Sequence, residues 1–378
     1  MAAWNGSRVA RAPPLGLGWN VAARGSVALR RPTIKDVASL AGVSPMTVSR
    51  VINLEPTVHA DTVQKVRRAI ETLHYRPDAT ARSLRGTRSF TIALVYDDNP
   101  NANYILSLQN GVLGACRERG YELLIYPCDP RSPRLVDELS LLAKNARLAG
   151  LVLTPPMSEN ARLLAKLKAN DVAYARIIAA RGDPKDGAPC VYVDDHKAAY
   201  AITAYLIQLG HTAIAFLWGD PHYRSSPERY EGYADAMKEH GIPVRKKYVL
   251  EGTYTFEDGF RRARKLLAGK DAPSAIFGSN DEIAAGALAA ARSAGLDVPW
   301  DLSIAGFEDN PFSRQAWPAL TTASQSTSEI GRHAASRLLE QLQKGTLPGS
   351  ERFVPELVIR GSTAPPRTER RAPAAAGA

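Results

Sequence analysis

The sequence predicts an α/β protein with a small all-α unit at its N-terminus and a larger two-lobed core. Three observations lead there. Apolar residues between Thr33 and Leu73 recur at helical spacing in three short runs. Beyond them, compact apolar runs of strand length alternate with amphipathic stretches, the pattern of parallel sheets with helices on both faces. That alternation comes in two successive series of similar size, which implies two lobes. At 378 residues the chain is long enough to bury one large core or two moderate ones.

The first helix is predicted by Ile34, Val37, Ala38 and Ala41 at i, i+3, i+4 and i+7, with Thr33 and Asp36 placed as a capping box. Gly42 and Val43 form the turn. Ser44 followed by Pro45 starts a second helix, because serine caps free amides and proline suits the first helical position. Its apolar side is Val48, Val51 and Ile52, which leaves Met46, Thr47, Ser49, Arg50 and Asn53 facing outward. A third helix reads from about Asp61 to Leu73 on Val66, Ala69, Ile70 and Leu73. Three such helices make either a plain helical bundle or a DNA-binding helix-turn-helix, and geometry alone leaves both open.

Strands are expected at Phe90–Tyr96, Tyr121–Tyr126, Ala149–Thr154 and Val172–Ile178. A second series holds Cys190–Val193, Thr212–Trp218, Ser274–Gly278 and Leu302–Phe307. Ligands of such sheets bind at the carboxyl ends of strands, so a cleft between the lobes is expected.

Composition narrows the class. Hydrophobic residues make up 45% and charged residues 23%, ordinary for a globular protein. No apolar run approaches the ~20 residues that span a bilayer, so a cytoplasmic protein without a membrane partner is expected. Cys116, Cys128 and Cys190 have no metal-ligand spacing and read as reduced, buried thiols. The net charge of +10 suits a polyanionic partner. No Asp or Glu precedes Asp36, while Arg8, Arg11, Arg24, Arg30 and Arg31 do. Enzyme motifs are missing: Gly16-Leu-Gly18 precedes any strand, Gly269-Lys270-Asp271 lacks phosphate-loop context, and neither H-E-x-x-H nor G-x-S-x-G occurs. No catalytic residue, metal or cofactor is expected.

Two runs carry a resemblance. Thr33 to Asn53, TIKDVASLAGVSPMTVSRVIN, is similar almost position for position to the headpiece signature of the lactose-repressor (LacI/GalR) family. Tyr75 to Gly86, YRPDATARSLRG, is similar to that family's hinge. The resemblance continues to Gly361. It implies a core like that of the periplasmic sugar-binding proteins, and a sequence-specific transcription regulator that binds a double-stranded operator as a homodimer, nucleoid-associated, under control of a small molecule. A sugar that releases a pseudo-palindromic operator is the first expectation, and a purine-type corepressor the alternative. A solute receptor on the same core would have no use for the headpiece. The implied division is a disordered basic extension over 1–31, headpiece over 32–77, hinge helix over 78–88, core over 89–362 and disordered tail over 363–378.

The resemblance also implies roles. The second helix enters the major groove, with Pro45, Met46 and Arg50 at specificity positions. Arg50 offers a fork to guanine, whereas Pro45 and Met46 read by shape and thymine-methyl contact. Thr33, Ser44, Thr47, Ser49 and Asn53 serve phosphates or caps. Tyr75, Arg76 and Ala81 belong to the hinge region, and Leu84 matches the lever that wedges into a minor-groove step. In the cleft, Arg229 and Asn280 match effector-anchoring positions, Tyr254 an aromatic platform, and Tyr104 and Gln325 further pocket positions. Where the family commonly has Gly-Phe-Asp-Asp, this chain has Gly306-Phe-Glu-Asp309, so Glu308 reaches one methylene further. Arg176, expected at the end of the fourth strand, is a candidate selector for an acidic sugar.

Overall fold

The computed structural model describes residues 32–52, 57–73, 75, 89–98, 102–182 and 187–367. The extension over 1–31 and the hinge over 78–88 lie outside these residues, as do Asn53, Arg76, Ala81 and Leu84. The chain divides into two compact units, Met1–Pro77 and Asp78–Ala378.

The first unit contains α1 (Ile34–Ala41), α2 (Pro45–Ile52) and α3 (Ala60–Thr72). Helices of eight residues are marginal in water, so these depend on a shared core of Val37, Ala38, Val48, Val51, Val66 and Ala69. The α1 cap forms around the Asp36 carboxylate, which accepts from the Thr33 amide and hydroxyl, both at 2.7 Å. Gly42 ends α1 at φ 66°, a left-handed position that glycine adopts without a Cβ clash. Ser44 caps α2 by accepting from the Thr47 amide at 3.1 Å.

The second unit has two parallel sheets. The first runs β11-β5-β4-β3-β1-β2 and the second β7-β6-β8-β9, with β10-β12 as a separate antiparallel pair. The strands of the first are β1 (Thr91–Asp97), β2 (Glu122–Cys128), β3 (Gly150–Leu153), β4 (Tyr174–Ala179), β5 (Cys190–Val193) and β11 (Glu351–Phe353). Those of the second are β6 (Ile214–Leu217), β7 (Val249–Leu250), β8 (Ala275–Gly278) and β9 (Ser303–Ala305), and the pair is β10 (Thr322–Ser324) and β12 (Glu356–Val358). β1 shows why central strands read as unbroken apolar runs: Ile92 and Leu94 enter the core on one face, Ala93 and Val95 the core on the other.

Helices α4 (Ala102–Arg119), α5 (Leu135–Asn145), α6 (Ala161–Ala169) and α12 (Thr327–Lys344) accompany the first sheet. The second has α7 (Asp195–Gln208), α8 (Ser225–Glu239), α9 (Phe256–Leu267), α10 (Asp281–Ser293) and the short α11 (Pro311–Gln315). α4 and α12 approach closely at Gly111, where a Cβ would lie 1.8 Å from the Ser328 carbonyl oxygen. The chain passes between lobes three times: from β5 to α7, from β10 to α12, and from β11 to β12.

All eight expected strands are present, with two corrections. Cys190–Val193 joins the first sheet beside β4 rather than opening the second. Residues 363–367, set in the expected disordered tail, are instead docked: the Ala364 carbonyl lies 2.9 Å from His211 Nε2, and the Arg367 guanidinium 2.7 Å from Asp301. Strands β7, β10, β11 and β12 were not expected. Each spans two or three residues, too few for a side-chain period to show. All three cysteines are buried thiols.

Candidate functional site

On the headpiece, the start of α2 projects side chains outward because Val48 and Val51 hold its other face to the core. Pro45, Met46 and Arg50 are exposed, Met46 by 64%. The Ser44 and Thr47 hydroxyls are 2.9 Å apart, and Ser49 is half-buried. A helix end with exposed apolar, hydroxyl and guanidinium groups fits a groove lined by base edges and phosphates. Tyr75 is different: it is half-buried against the headpiece core, and its amide donates to the Ile70 carbonyl at 2.9 Å.

The core holds a cavity of about 70 Å³ between its lobes. It sits where the carboxyl ends of strands from both sheets converge. The first lobe supplies a largely apolar wall, including Ile105, Pro155, Ile177 and Ile178, with Asp97 and Tyr104; the second supplies Tyr223, Ser225, Arg229, Tyr254 and Glu308. Asp195 and Gln325 come from two of the crossings.

Arg229, on α8, is the electrostatic centre. Its Nε donates to Asp195 at 2.6 Å and its Nη1 to the Ser279 carbonyl at 2.5 Å, while Glu308 stands 3.6 Å away. Nη2 donates to Gln325 at 3.5 Å, and the guanidinium lies 3.8 Å over the Phe307 ring. Burial opposes the charge of Arg229, but Asp195, Tyr254 and Glu308 hold the guanidinium protonated, above its ordinary range. Burial pushes the Asp195 carboxyl up while Arg229 pulls it down. The Tyr104 and Tyr254 phenols are raised chiefly by burial, so both keep their protons. The Tyr254 hydroxyl lies 2.7 Å from the Ser226 hydroxyl and 3.1 Å from that of Ser225.

A buried carboxylate braces the floor. Asp281 accepts from the Thr322 hydroxyl at 2.6 Å and the Asn310 amide at 2.8 Å, which fixes the loop carrying Glu308. Burial raises the Asp281 carboxyl well above its usual range. Glu308 itself has φ 102°, a costly backbone for a residue with a Cβ, and such strain persists only where the surroundings over-determine it.

Two family models match the chain: bacterial regulatory proteins, lacI family, over residues 33–78, and the periplasmic binding protein-like domain over 203–363. The repressor PurR of Pasteurella multocida is 34% identical over 334 residues, covering 87% of this chain and 98% of that protein. The chain belongs to the LacI family. DegA of Bacillus subtilis is another regulator of this kind, 34% identical over 344 residues, with 89% of this chain and all of DegA covered. Among solved structures, the regulator CelR in complex with cellobiose matches at TM-score 0.66 and 29% identity, and the lac repressor dimer bound to operator at 0.67 and 25%. These alignments cover 88% and 89% of this chain and all of each neighbour. As a LacI-family member the chain is a DNA-binding transcriptional regulator, and among the described residues no helix is long and apolar enough to cross a membrane.

The LacI-family cleft brings together five of the seven expected effector residues: Tyr104, Arg229, Tyr254, Glu308 and Gln325. Asn280 is not on its wall. It caps α10 by accepting from the Ile283 amide at 2.9 Å and donates to the Tyr254 carbonyl at 3.2 Å, so it helps to position Tyr254. Arg176 also lies off the wall. It sits mid-strand in β4 rather than at its end, and its Nε donates to the Ser158 carbonyl at 2.6 Å. Sequence reasoning missed Asp97, Asp195, Tyr223 and Ser225. Asp97 and Asp195 carried a usable signal, since each follows an expected strand at its carboxyl end.

Proposed function

We propose that the protein is a dimeric, nucleoid-associated repressor whose headpiece reads a pseudo-palindromic operator and whose cleft takes a neutral, polyhydroxylated effector of the sugar class that releases it. The charge balance of the cleft carries the effector reading. One guanidinium is already countered by Asp195 and Glu308, and Asp97 adds a third carboxylate. An acidic or phosphorylated sugar would meet surplus negative charge with no second cation among the described lining residues, and Arg176 is engaged elsewhere. Neutral hydroxyls suit the site, because they donate to carboxylates and accept from phenols while the apolar wall receives C–H faces. The dimer follows from the lac repressor neighbour, which binds operator in that form.

A purine-type corepressor is the second reading, favoured by Tyr104, Tyr223 and Tyr254 around the cavity, which suit a flat ring. Titration calorimetry with neutral sugars and purine bases separates the two. Saturable heat from a sugar alone supports the first reading, and heat from a base alone replaces it. Selection of bound duplexes from a random pool at fixed salt tests the operator, and a failure to enrich any palindrome counts against the dimeric headpiece.

A further inference from the structure

Asp97 and Tyr223 face each other from different lobes. Asp97 ends β1, where pairing with Cys128 of β2 fixes its backbone. Tyr223 lies in the loop between β6 and α8. That loop is held by the Ser226 hydroxyl, which donates to the Asp220 carbonyl at 2.7 Å, and by the Tyr223 ring, edge-on to Tyr254 at 5.9 Å. Both residues line the cavity, and the Tyr223 hydroxyl donates to the Asp97 carboxylate across it. This bond joins the two lobes, whereas Arg229 and Glu308 both belong to the second.

A group entering between them must serve both ends. Burial, with Asp129 and Asp220 nearby, pushes the Asp97 carboxyl up, so losing its donor would leave a desolvated acceptor. A hydroxyl can donate to Asp97 and accept from Tyr223 at once. An ether or a deoxy carbon donates nothing to Asp97, and a phosphate or carboxylate is repelled by Asp97, Asp195 and Glu308. We propose that Asp97 and Tyr223 form a cross-cleft selector that requires one hydroxyl of the effector to insert between them, making this pair the determinant of which polyol is accepted. The inference rests on the polyol reading above.

The test uses the full-length protein. Thermal shift and calorimetry are run with D-glucose, D-ribose, cellobiose, D-glucosamine, D-glucuronate, glucose 6-phosphate, adenine and guanine. The tightest neutral sugar is then compared with its monodeoxy analogues on wild type, Tyr223→Phe and Asp97→Asn. On wild type one analogue should bind at least ~10-fold more weakly than its parent. In each variant the parent should weaken and its advantage over that analogue should collapse, a coupling that a merely structural role would not produce. If either variant fails to melt cooperatively, the other carries the comparison. A neutral sugar that binds all three proteins with the same parent-to-analogue ratio overturns the selector alone. Binding of only a base or an anionic sugar, or of none of the neutral sugars, overturns the polyol reading beneath it.

Discussion

The headpiece and the cleft recognise their ligands by opposite arrangements. In the headpiece, Pro45, Met46 and Arg50 lie within one eight-residue helix and stand exposed on a small local core. In the cleft, the groups run from Asp97 to Gln325 and are largely buried. A polyanion with a surface pattern is met by side chains that reach outward. The neutral effector proposed for the cleft would be met by charges already satisfied before it arrives, as Arg229 is by Asp195 and Glu308. Substitution should therefore damage stability in the cleft and specificity in the headpiece.

Arg229→Ala should break the comparison hardest. It would leave Asp195 and Glu308 buried without their cation, at a cost of about 3–5 kcal/mol in core stability, read by urea unfolding through Trp218 fluorescence. A loss under about 1 kcal/mol would mean that the cluster is not the keystone described.

Next comes Glu282, on α10, whose carboxyl is pushed up to about 7, first by burial and then by Glu308, against the hydrogen bond from Asn103 and with Glu257 adding a smaller push. A folded-state value above the unfolded 4.5 means that the folded state holds the proton more tightly. This group's contribution is full below about pH 4.5 and lost as pH rises through about 7, up to about 3 kcal/mol in all. Glu282→Gln should flatten that slope in unfolding measured from pH 4 to pH 8, and an unchanged slope would assign it to other groups.

Arg50→Ala is the headpiece counterpart of Arg229→Ala. It should leave stability within about 0.5 kcal/mol but cost about 1–3 kcal/mol of discrimination at one base pair of each half-site. Competition binding against single-site operator variants reads this directly, and uniform weakening across all variants would make Arg50 a phosphate contact. Ser44→Ala should have the smallest effect, about 1 kcal/mol of headpiece stability through the lost cap, visible as a lower melting temperature of that unit.

The same contrast explains what the sequence disclosed. α1 to α3 could be read because their determinants are local: the Thr33–Asp36 box, Gly42, Ser44-Pro45 and the Val48/Val51 face. Strands β1 and β3 to β6 were legible as continuous apolar runs because both faces are largely buried, and β2 was legible as such a run although much of it is half-buried or exposed. β11 was not, since Glu351–Phe353 becomes a strand only by pairing with Cys190–Val193, some 160 residues earlier in the chain. Arg229 and Tyr254 were found by resemblance. Asp97 and Tyr223 were not, because each gains meaning from a partner in the other lobe. Asn280, expected as an effector contact, stands as a helix cap bonded to the Tyr254 carbonyl, and an amide at a helix start suits either use.

The placement of β11 also bears on how the molecule is made. As the edge strand of the first lobe, it is drawn from residues 351–353, after all of the second lobe except β12 and the docked residues behind it has been translated. The growing chain therefore cannot complete its first sheet while still on the ribosome with the second lobe unmade. During synthesis β5 presents an unpaired edge, the kind of surface that invites mispairing. Neither lobe is a contiguous segment that could be inherited, excised or expressed alone. The two halves of the cleft come into being together, and a truncation that removes the last thirty residues would reach into the lobe made first.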